Sequence, residues 1–425
     1  MGEEGGVRVH GWVSEVRDLG RIRFVVIRNW KEKVQLTLKR GVTPDELFEL
    51  TEDLTQESVI EAIGEEVAEK RAKAVDREVV PTKIIVHSIA HPKLPMDPNW
   101  KVPAQLPTRL DNRPLDLRRP EVQAIFKIEA SLIHGMEEWL RENGFLRVFT
   151  PAIIGAASES GAEVFRVHYF DREAYLRQDP QLHRQLTIIG GFERIYDLGV
   201  NWRAELSHTP RHLSEFRSIA VELAFIENEQ DTMRVEEEMI RAGIKRVVEE
   251  RSKELELLKV DLEVPKTPFP ELRFPKVYDI LEEMGKSVEY GEDYDTESER
   301  LLWQYVKEEY GADFFFVNRF PFKVKPFYVM KEDDTWARSV DLLYKGLELS
   351  SGGQREHRYD VLVSQIKEKG MNPESLEWFT KFFAYGAPPH GGFAVGIERL
   401  TMKMLDLPNI KEAALFPRDP ERVLP

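Results

Sequence analysis

The side chain best placed to do chemistry toward the end of the chain is Arg399. It follows Gly391-Gly392-Phe393-Ala394-Val395-Gly396-Ile397-Glu398, just after Pro388-Pro389-His390. An arginine that opens a helix behind a glycine-rich strand suits a nucleoside triphosphate. Glycine lets backbone approach a flat ring, and a guanidinium meets phosphate as a planar fork. The same glycines fit a bulge or tight packing inside a sheet. Two upstream segments fit the same site. One is Arg203-Ala204-Glu205, followed by Arg211-His212-Leu213-Ser214-Glu215-Phe216, with strand-like stretches flanking a polar loop. The other is Glu142-Asn143-Gly144-Phe145 leading to Thr150-Pro151. Two acids, Asp341 and Glu348, lie in one strand-like stretch. Strict alternation puts them on opposite faces, whereas a bulge or bend near Gly346 brings them together. Acids at this spacing also occur as plain surface residues.

Several elements must position these groups. From Val7 to about residue 90 the pattern is short strands: Val7 to Val13, Ile22 to Arg28, Val34 to Lys39, Val59 to Val67 and Val79 to Ile89, with a short helix from Pro44 after the third. Five strands with that helix fit an OB-fold barrel, or from pattern alone another small β-barrel. Residues 93–120 hold Pro95, Pro98, Pro103, Pro107, Pro114 and Pro120, which predicts a stiff, extended hinge. A helix is expected from about Glu121, with Ile125, Ile128, Leu132, Met136, Trp139 and Leu140 on one buried face. A second runs roughly from Asp231 to Leu258, its Glu236-Glu237-Glu238 and Lys245-Arg246 expected on a solvated face. Residues 265–320 are expected to form a small inserted unit.

Composition narrows the class. The 425 residues suggest two or three domains, and 42% hydrophobic content supports a core. No cysteine is present, which excludes disulfides, thiolate metal sites and cysteine nucleophiles. The net charge of −15 lowers a general nucleic-acid expectation without excluding a local basic patch. The start lacks the apolar run of a secretory signal and no stretch reaches the length of a membrane span, so a cytoplasmic location without membrane association is expected.

The three segments, in the order 142–151, 203–216 and 391–400, resemble motifs 1, 2 and 3 of the class II aminoacyl-tRNA synthetases. Arg113-Pro114-Leu115-Asp116-Leu117-Arg118-Arg119-Pro120, Ser350-Ser351-Gly352-Gly353-Gln354-Arg355 and the ending Phe416-Pro417-Arg418-Asp419 are similar to the archaeal-type aspartyl branch, over essentially the whole chain. The resemblance implies an α+β protein: an OB-fold anticodon-binding domain over 1–92, the hinge, and a class II catalytic domain over 121–425 with a central antiparallel sheet flanked by helices. It also implies a homodimer through the first long helix, although a helix buried within one subunit would look the same.

The implied reaction is attack by a carboxylate on the α-phosphorus of ATP, then transfer of the acyl group to tRNA. Two anions must meet, so fixed positive charge and metal matter more than a general base. Arg203 is implied at the α-phosphate and attacking carboxylate, and Arg399 at the γ-phosphate. Phe216 stacks on adenine, Glu205 accepts from its amine, and Arg211 or His212 reaches the phosphates. Asp341 and Glu348 are implied as the Mg²⁺ ligands. On the barrel, Phe24 and Gln35 match positions that stack on and hydrogen-bond to an anticodon base, with Arg28 on the same strand. Phenylalanine in a strand is otherwise a core residue.

The amino-acid pocket departs from the family pattern. Members carry Gln-Ser-Pro-Gln-Leu-aromatic-Lys where this chain has Gln178-Asp179-Pro180-Gln181-Leu182-His183-Arg184. The lysine that meets the substrate side-chain carboxylate is replaced by Arg184. Arg355 matches the other clamp on that carboxylate. The acid that pairs with the substrate ammonium is replaced by Ala220. Two expectations follow. Either Asp179, helped by Glu159, substitutes for the lost acid and aspartate still binds, or the pocket has moved to another acid, or lost activation. Aspartate–tRNA ligation, with tRNA-Asp, or both tRNA-Asp and tRNA-Asn, as acceptor, is the leading expectation. A paralogue activating a different acid, for an acceptor that need not be tRNA, is the alternative. Asparagine is disfavoured by two arginines. The presence of Arg203, Glu205, Asp341, Glu348 and Arg399 argues against a purely tRNA-binding module.

Overall fold

A computed structural model describes residues 6–68, 74–155, 164–206 and 209–424. The chain divides into two compact units between Asn112 and Arg113. The first is built on β1 (Val7–Asp18), β2 (Ile22–Arg28), β3 (Lys33–Lys39), α1 (Asp45–Leu50), β4 (Val59–Glu66) and β5 (Arg77–Ser88). They close into a barrel in the order β1-β2-β3-β5-β4, which is the expected OB arrangement. Period-2 alternation sends Val25, Ile27, Val34, Leu36 and Leu38 inward and leaves Phe24, Val26, Gln35 and Thr37 on the outer face. Phe24 is therefore not a core residue.

The segment 93–120 is not extended throughout. It winds into α2 (Leu106–Asp111) and, in the second unit, α3 (Arg113–Asp116). Proline is tolerated in the first turn of a helix, where the missing N–H has no partner to lose. Pro107 and Pro120 sit at such positions.

The second unit continues with α4 (Pro120–Glu142), β6 (Leu146–Arg147) and a three-stranded sheet of β7 (Ile153–Ile154), β8 (Arg166–Tyr169) and β9 (Arg172–Leu176). Then come α5 (Gln181–Ile189), β10 (Arg194–Trp202), β11 (Glu215–Ala224), α6 (Glu229–Glu250), α7 (Ser252–Leu258), β12 (Glu271–Arg273), α8 (Lys276–Glu283), α9 (Thr296–Tyr310) and β13 (Phe314–Asn318). Last are β14 (Ser339–Tyr344), β15 (Leu347–Arg355), α10 (Tyr359–Glu368), α11 (Glu377–Thr380), β16 (His390–Gly396) and α12 (Ile397–Met404). The main sheet has eight strands in the order β12-β13-β14-β15-β16-β11-β10-β6 and is antiparallel except at its two edge pairs. Residues 265–320 contribute β12 and β13 to this sheet, and Leu272, Val277, Leu281, Leu302 and Phe315 pack a cluster apart from the main core.

One face of the sheet carries the core. Ile219, Val221, Leu223, Val340, Leu342, Phe393 and Val395 pack against Ile128, Leu132 and Met136 of α4 and Ile240 and Ile244 of α6. The expected second long helix is interrupted at Arg251. The acidic run on α6 is not wholly solvated: Glu236 and Glu237 are buried. Glu236 hydrogen-bonds Ser350 Oγ, and Glu237 accepts from the Phe269 N–H at 2.7 Å. Burial pushes the Glu236 carboxyl up to about 8. Among the described residues no helix is long and apolar enough to cross a membrane.

Candidate active site

The other face of the same sheet carries the site. Alternation places Ser218, Ala220 and Glu222 of β11 there, opposite their core-facing neighbours. Cross-strand pairing extends these positions into rows. Ser218 pairs with Gly396, Ala220 with Ala394 and Glu222 with Gly392. Ser351 of β15 pairs with Ala394 on one side and Asp341 of β14 on the other. Four strands therefore present one continuous floor beneath a cavity of about 280 Å³. The glycines divide between the two roles considered for them. A Cβ on Gly392 would lie 2.0 Å from the Val221 carbonyl, so Gly392 serves sheet packing. Gly396 lines the cavity, with 3.8 Å of clearance.

Arg203 and Arg399 line this one cavity, together with Glu205, Arg211, His212, Phe216 and Glu348. Arg203 leaves the end of β10 and its guanidinium carbon lies 5.7 Å from the Phe216 ring centroid. Its Nη1 stands 3.4 Å from Glu205. The base of the loop is tied by Arg203 N–H to the Ser214 carbonyl at 3.0 Å. Arg399, in the first turn of α12, donates to the Glu348 carbonyl at 3.0 Å. Arg211 is directed to α9, hydrogen-bonding Thr296 and standing 3.5 Å from Glu299. Burial, followed by the Arg399 charge, lowers the pKa of His212 and favours a neutral imidazole.

Asp341 and Glu348 face the same way, and the device is a bulge. Asp341 pairs with Ser351 and Leu342 with Ser350, but Leu343 pairs with Glu348, so Leu349 is an extra residue on β15. The slip turns Leu349 into the core and Glu348 onto the site face. The bulge thus sits at Leu349, while Lys345 and Gly346, both with positive φ, form the two-residue hairpin turn. Asp341 is closed over by Lys325, whose Nζ lies 2.8 and 3.1 Å from its two oxygens. Burial pushes the Asp341 carboxyl up to about 6, against the pull of the Lys325 ammonium and aided by the Glu348 carboxylate. Two hard carboxylates on one face fit a magnesium site completed by phosphate oxygens, which needs few protein ligands. No larger cluster of metal-binding side chains occurs among the described residues.

The residues expected to bind the amino acid are arranged differently. Arg184 is buried behind the cavity wall and its fork is taken: Nη1 and Nη2 donate to the two Asp179 oxygens at 2.7 and 2.9 Å, and Nη2 to Gln181 Oε1 at 2.7 Å. Arg355 Nε donates to Glu222 at 3.0 Å, and its Nη2 to Gln181 and the Gly392 carbonyl. Gln181 Nε2 completes the set on Glu222 at 3.0 Å. Burial raises the pKa of Asp179, but the Arg184 guanidinium more than offsets it and holds the carboxyl below its ordinary value. Asp179, Gln181 and Arg355 line the cavity. Glu159 lies outside the described residues.

Sequence reasoning assigned no role to Glu222 or Lys325. The period-2 spacing from Ser218 to Glu222 was the available signal for the first. Nothing in the sequence pointed to the second.

A family model described as tRNA synthetases class II (D, K and N) matches residues 105–420. The chain belongs to this family. An OB-fold nucleic acid binding domain model matches residues 7–86 of the synthetase. It is 48% identical over 421 residues to an aspartate–tRNA(Asp) ligase of Thermococcus kodakarensis, covering 99% of this chain and 96% of the relative. It is likewise 48% identical over 424 residues to an aspartate–tRNA(Asp/Asn) ligase of Methanopyrus kandleri, covering 100% and 96%. Among solved structures, asparaginyl-tRNA synthetase from Pyrococcus horikoshii complexed with asparaginyl-adenylate superposes with a TM-score of 0.90 at 34% identity, covering 99% and 96%.

On the barrel of the synthetase the expected base-reading residues separate. Phe24 is half-buried on the outer face, opposite Thr37. Gln35 is beside it, its amide 3.4 Å from Thr37 Oγ1. Arg28 is buried, and its Nη2 bridges both oxygens of buried Glu57 at 2.6 Å. A guanidinium committed to a buried carboxylate holds the barrel together and is poorly placed to read a base.

Proposed function

We propose that this synthetase is an aspartate–tRNA ligase. It joins aspartate to AMP at the cavity above β11, β15 and β16, then passes the aspartyl group to the terminal ribose of tRNA-Asp, with tRNA-Asn as a possible second acceptor. The observation that carries this is the convergence of Arg203, Arg399, Glu348 and Arg355 on one cavity. Arg203 holds the α-phosphate against the attacking carboxylate. Arg399 holds the γ-phosphate, so that ATP lies bent and pyrophosphate departs in line. Phe216 supplies the flat surface for adenine and Glu205 accepts from its amine. Asp341 and Glu348 would hold Mg²⁺, which when bound supplies positive charge to the phosphates. Phe24 and Gln35 are assigned to the anticodon.

The partners are ATP, aspartate, tRNA and a second copy of the chain, in the cytoplasm. The apolar stripe of α4 is covered within the subunit by α6, so it lends the dimer little support. The segment after it does more, since Phe149 is 81% and Leu146 52% exposed.

A second reading has its own support. Arg184 and Asp179 neutralise each other, and Ala220 stands where the family has an acid. Such a pocket suits an acid other than aspartate. ATP–pyrophosphate exchange with a panel of carboxylic and amino acids separates the two. Exchange confined to aspartate, followed by charging of tRNA-Asp, supports the ligase. Exchange only with another acid overturns it in favour of the paralogue.

A further inference from the structure

Lys325 belongs to no segment that the synthetase motifs single out, yet its ammonium occupies a central position. It follows a 3-10 turn at Phe322–Val324 and precedes Pro326, which biases it to the extended backbone it adopts. Its side chain is about nine-tenths buried, as is that of Asp341. Nζ lies 2.8 and 3.1 Å from the two Asp341 oxygens, straddling the carboxylate where a chelated divalent ion would sit. It also stands 3.6 Å from the centroid of the Phe320 ring. Lys325, Glu348, Ser351, Arg203 and Arg399 line the same cavity.

We propose that Lys325 is a tethered counter-cation that must leave Asp341 before a divalent metal can bind there, so that metal and nucleoside triphosphate enter together. The inference rests on Asp341 being a metal ligand. The physical argument is competition for one carboxylate. An ammonium and a divalent ion cannot share both oxygens at contact distance, and their repulsion is weakly screened in a buried setting. Without nucleotide the displaced ammonium has the Phe320 face and the partly buried Asp293 carboxylate, whose pKa it already pulls down. A triphosphate brings several negative oxygens into the cavity and gives the lysine a new partner. Its flexible four-carbon stem permits the exchange. Each ligand then lowers the cost of admitting the other, and linkage requires the effect to be reciprocal.

The test is direct Mn²⁺ binding, followed by electron paramagnetic resonance of free Mn²⁺, to the full chain with and without ATP and with no amino acid added. Wild type should bind Mn²⁺ weakly alone and more tightly with ATP. Lys325→Met keeps an apolar stem and removes the charge. It should bind Mn²⁺ at least about tenfold more tightly without nucleotide, and the gain on adding ATP should shrink. Lys325→Arg keeps the charge and should stay weak, while Lys325→Gln serves if the methionine variant does not fold. Equal nucleotide-free affinities in wild type and in the uncharged variants overturn the proposal. Adding Asp341→Asn to Lys325→Met should abolish the gain. If Asp341→Asn alone leaves Mn²⁺ binding with ATP unchanged, the metal is not at Asp341, and that assignment fails with it.

Discussion

The two ends of the cavity handle charge in opposite ways. At the end proposed for the nucleotide, Arg203 keeps 44% of its side chain exposed and stands 3.4 Å from Glu205, and Arg399 donates to the Glu348 backbone carbonyl, with the carboxylate at 3.9 Å. At the amino-acid end the arginines are already spent on protein acids, Arg184 on Asp179 and Arg355 on Glu222. The first end is built to gain an anion and the second to exchange one neutral arrangement for another. Charge substitutions should therefore act differently at the two ends. The largest effect is expected at the nucleotide end. Arg203→Ala should lower kcat for ATP–pyrophosphate exchange by about 10²–10³, the usual effect of removing one donor from a developing anion. A loss under tenfold would mean that Arg203 does not bear on the transition state, and the contrast would break at its stronger side.

At the amino-acid end the expected effect turns on partnership. Asp179→Ser leaves Arg184 buried without its carboxylate, a loss that typically costs about 3–5 kcal/mol. If Asp179 also receives the substrate ammonium, aspartate-dependent exchange should disappear while ATP binding, measured by calorimetry, persists. Adding Ala220→Asp should then restore exchange, because the acid returns to the same face of β11. Unchanged aspartate kinetics in Asp179→Ser would show that this carboxylate does nothing but hold Arg184. Failure of the double variant to recover would favour a different substrate acid.

The contrast also explains what the sequence could disclose. Arg203 and Arg399 are legible because each sits at a fixed offset from a strand or helix boundary: Arg203 just after β10, Arg399 in the first turn of α12. Backbone geometry alone aims such residues. The amino-acid end depends on how far a guanidinium reaches across space. Arg184 reads as a substrate clamp in the sequence, and only the fold reveals that Asp179 and Gln181 have closed its fork. Arg28 misleads for the same reason, since Glu57 is 29 positions away in sequence. The bulge at Leu349 lies between these cases. A single extra residue decides which way Glu348 points, and register of that kind is set by cross-strand packing rather than by composition. Buried Glu236 was hidden by its neighbours, because three consecutive glutamates look alike until one is pressed beneath a sheet.

The barrel supplies a control that touches neither end. Phe24→Ala should leave exchange intact and weaken tRNA binding by about 1–3 kcal/mol, the range for one base–aromatic stack. Arg28→Ala should instead lower the thermal midpoint by breaking a buried pair. If Arg28→Ala folds normally and only tRNA affinity falls, the guanidinium reads a base after all.

The last effect sharpens the contrast from below the floor. Glu236 hydrogen-bonds Ser350, whose neighbour Ser351 pairs with Asp341, and burial raises its carboxyl to about 8. An acid whose pKa is higher in the folded than in the unfolded chain binds more protons when folded. Stability must then fall as pH rises from about 4.5 through about 8, and no further change comes from this group above that. Glu236→Gln keeps a hydrogen-bonding side chain and removes the titration. It should raise the thermal midpoint clearly at pH 8, where the shift from 4.5 to about 8 is worth at most about 4–5 kcal/mol, and far less at pH 5, where it is worth under about 1 kcal/mol. Equal shifts at both pH values would mean that the variant acts through packing and that the carboxyl is already ionised in the folded protein. A neutral carboxyl here removes one negative charge from beneath Asp341, whose own carboxylate helps to hold Glu236 protonated.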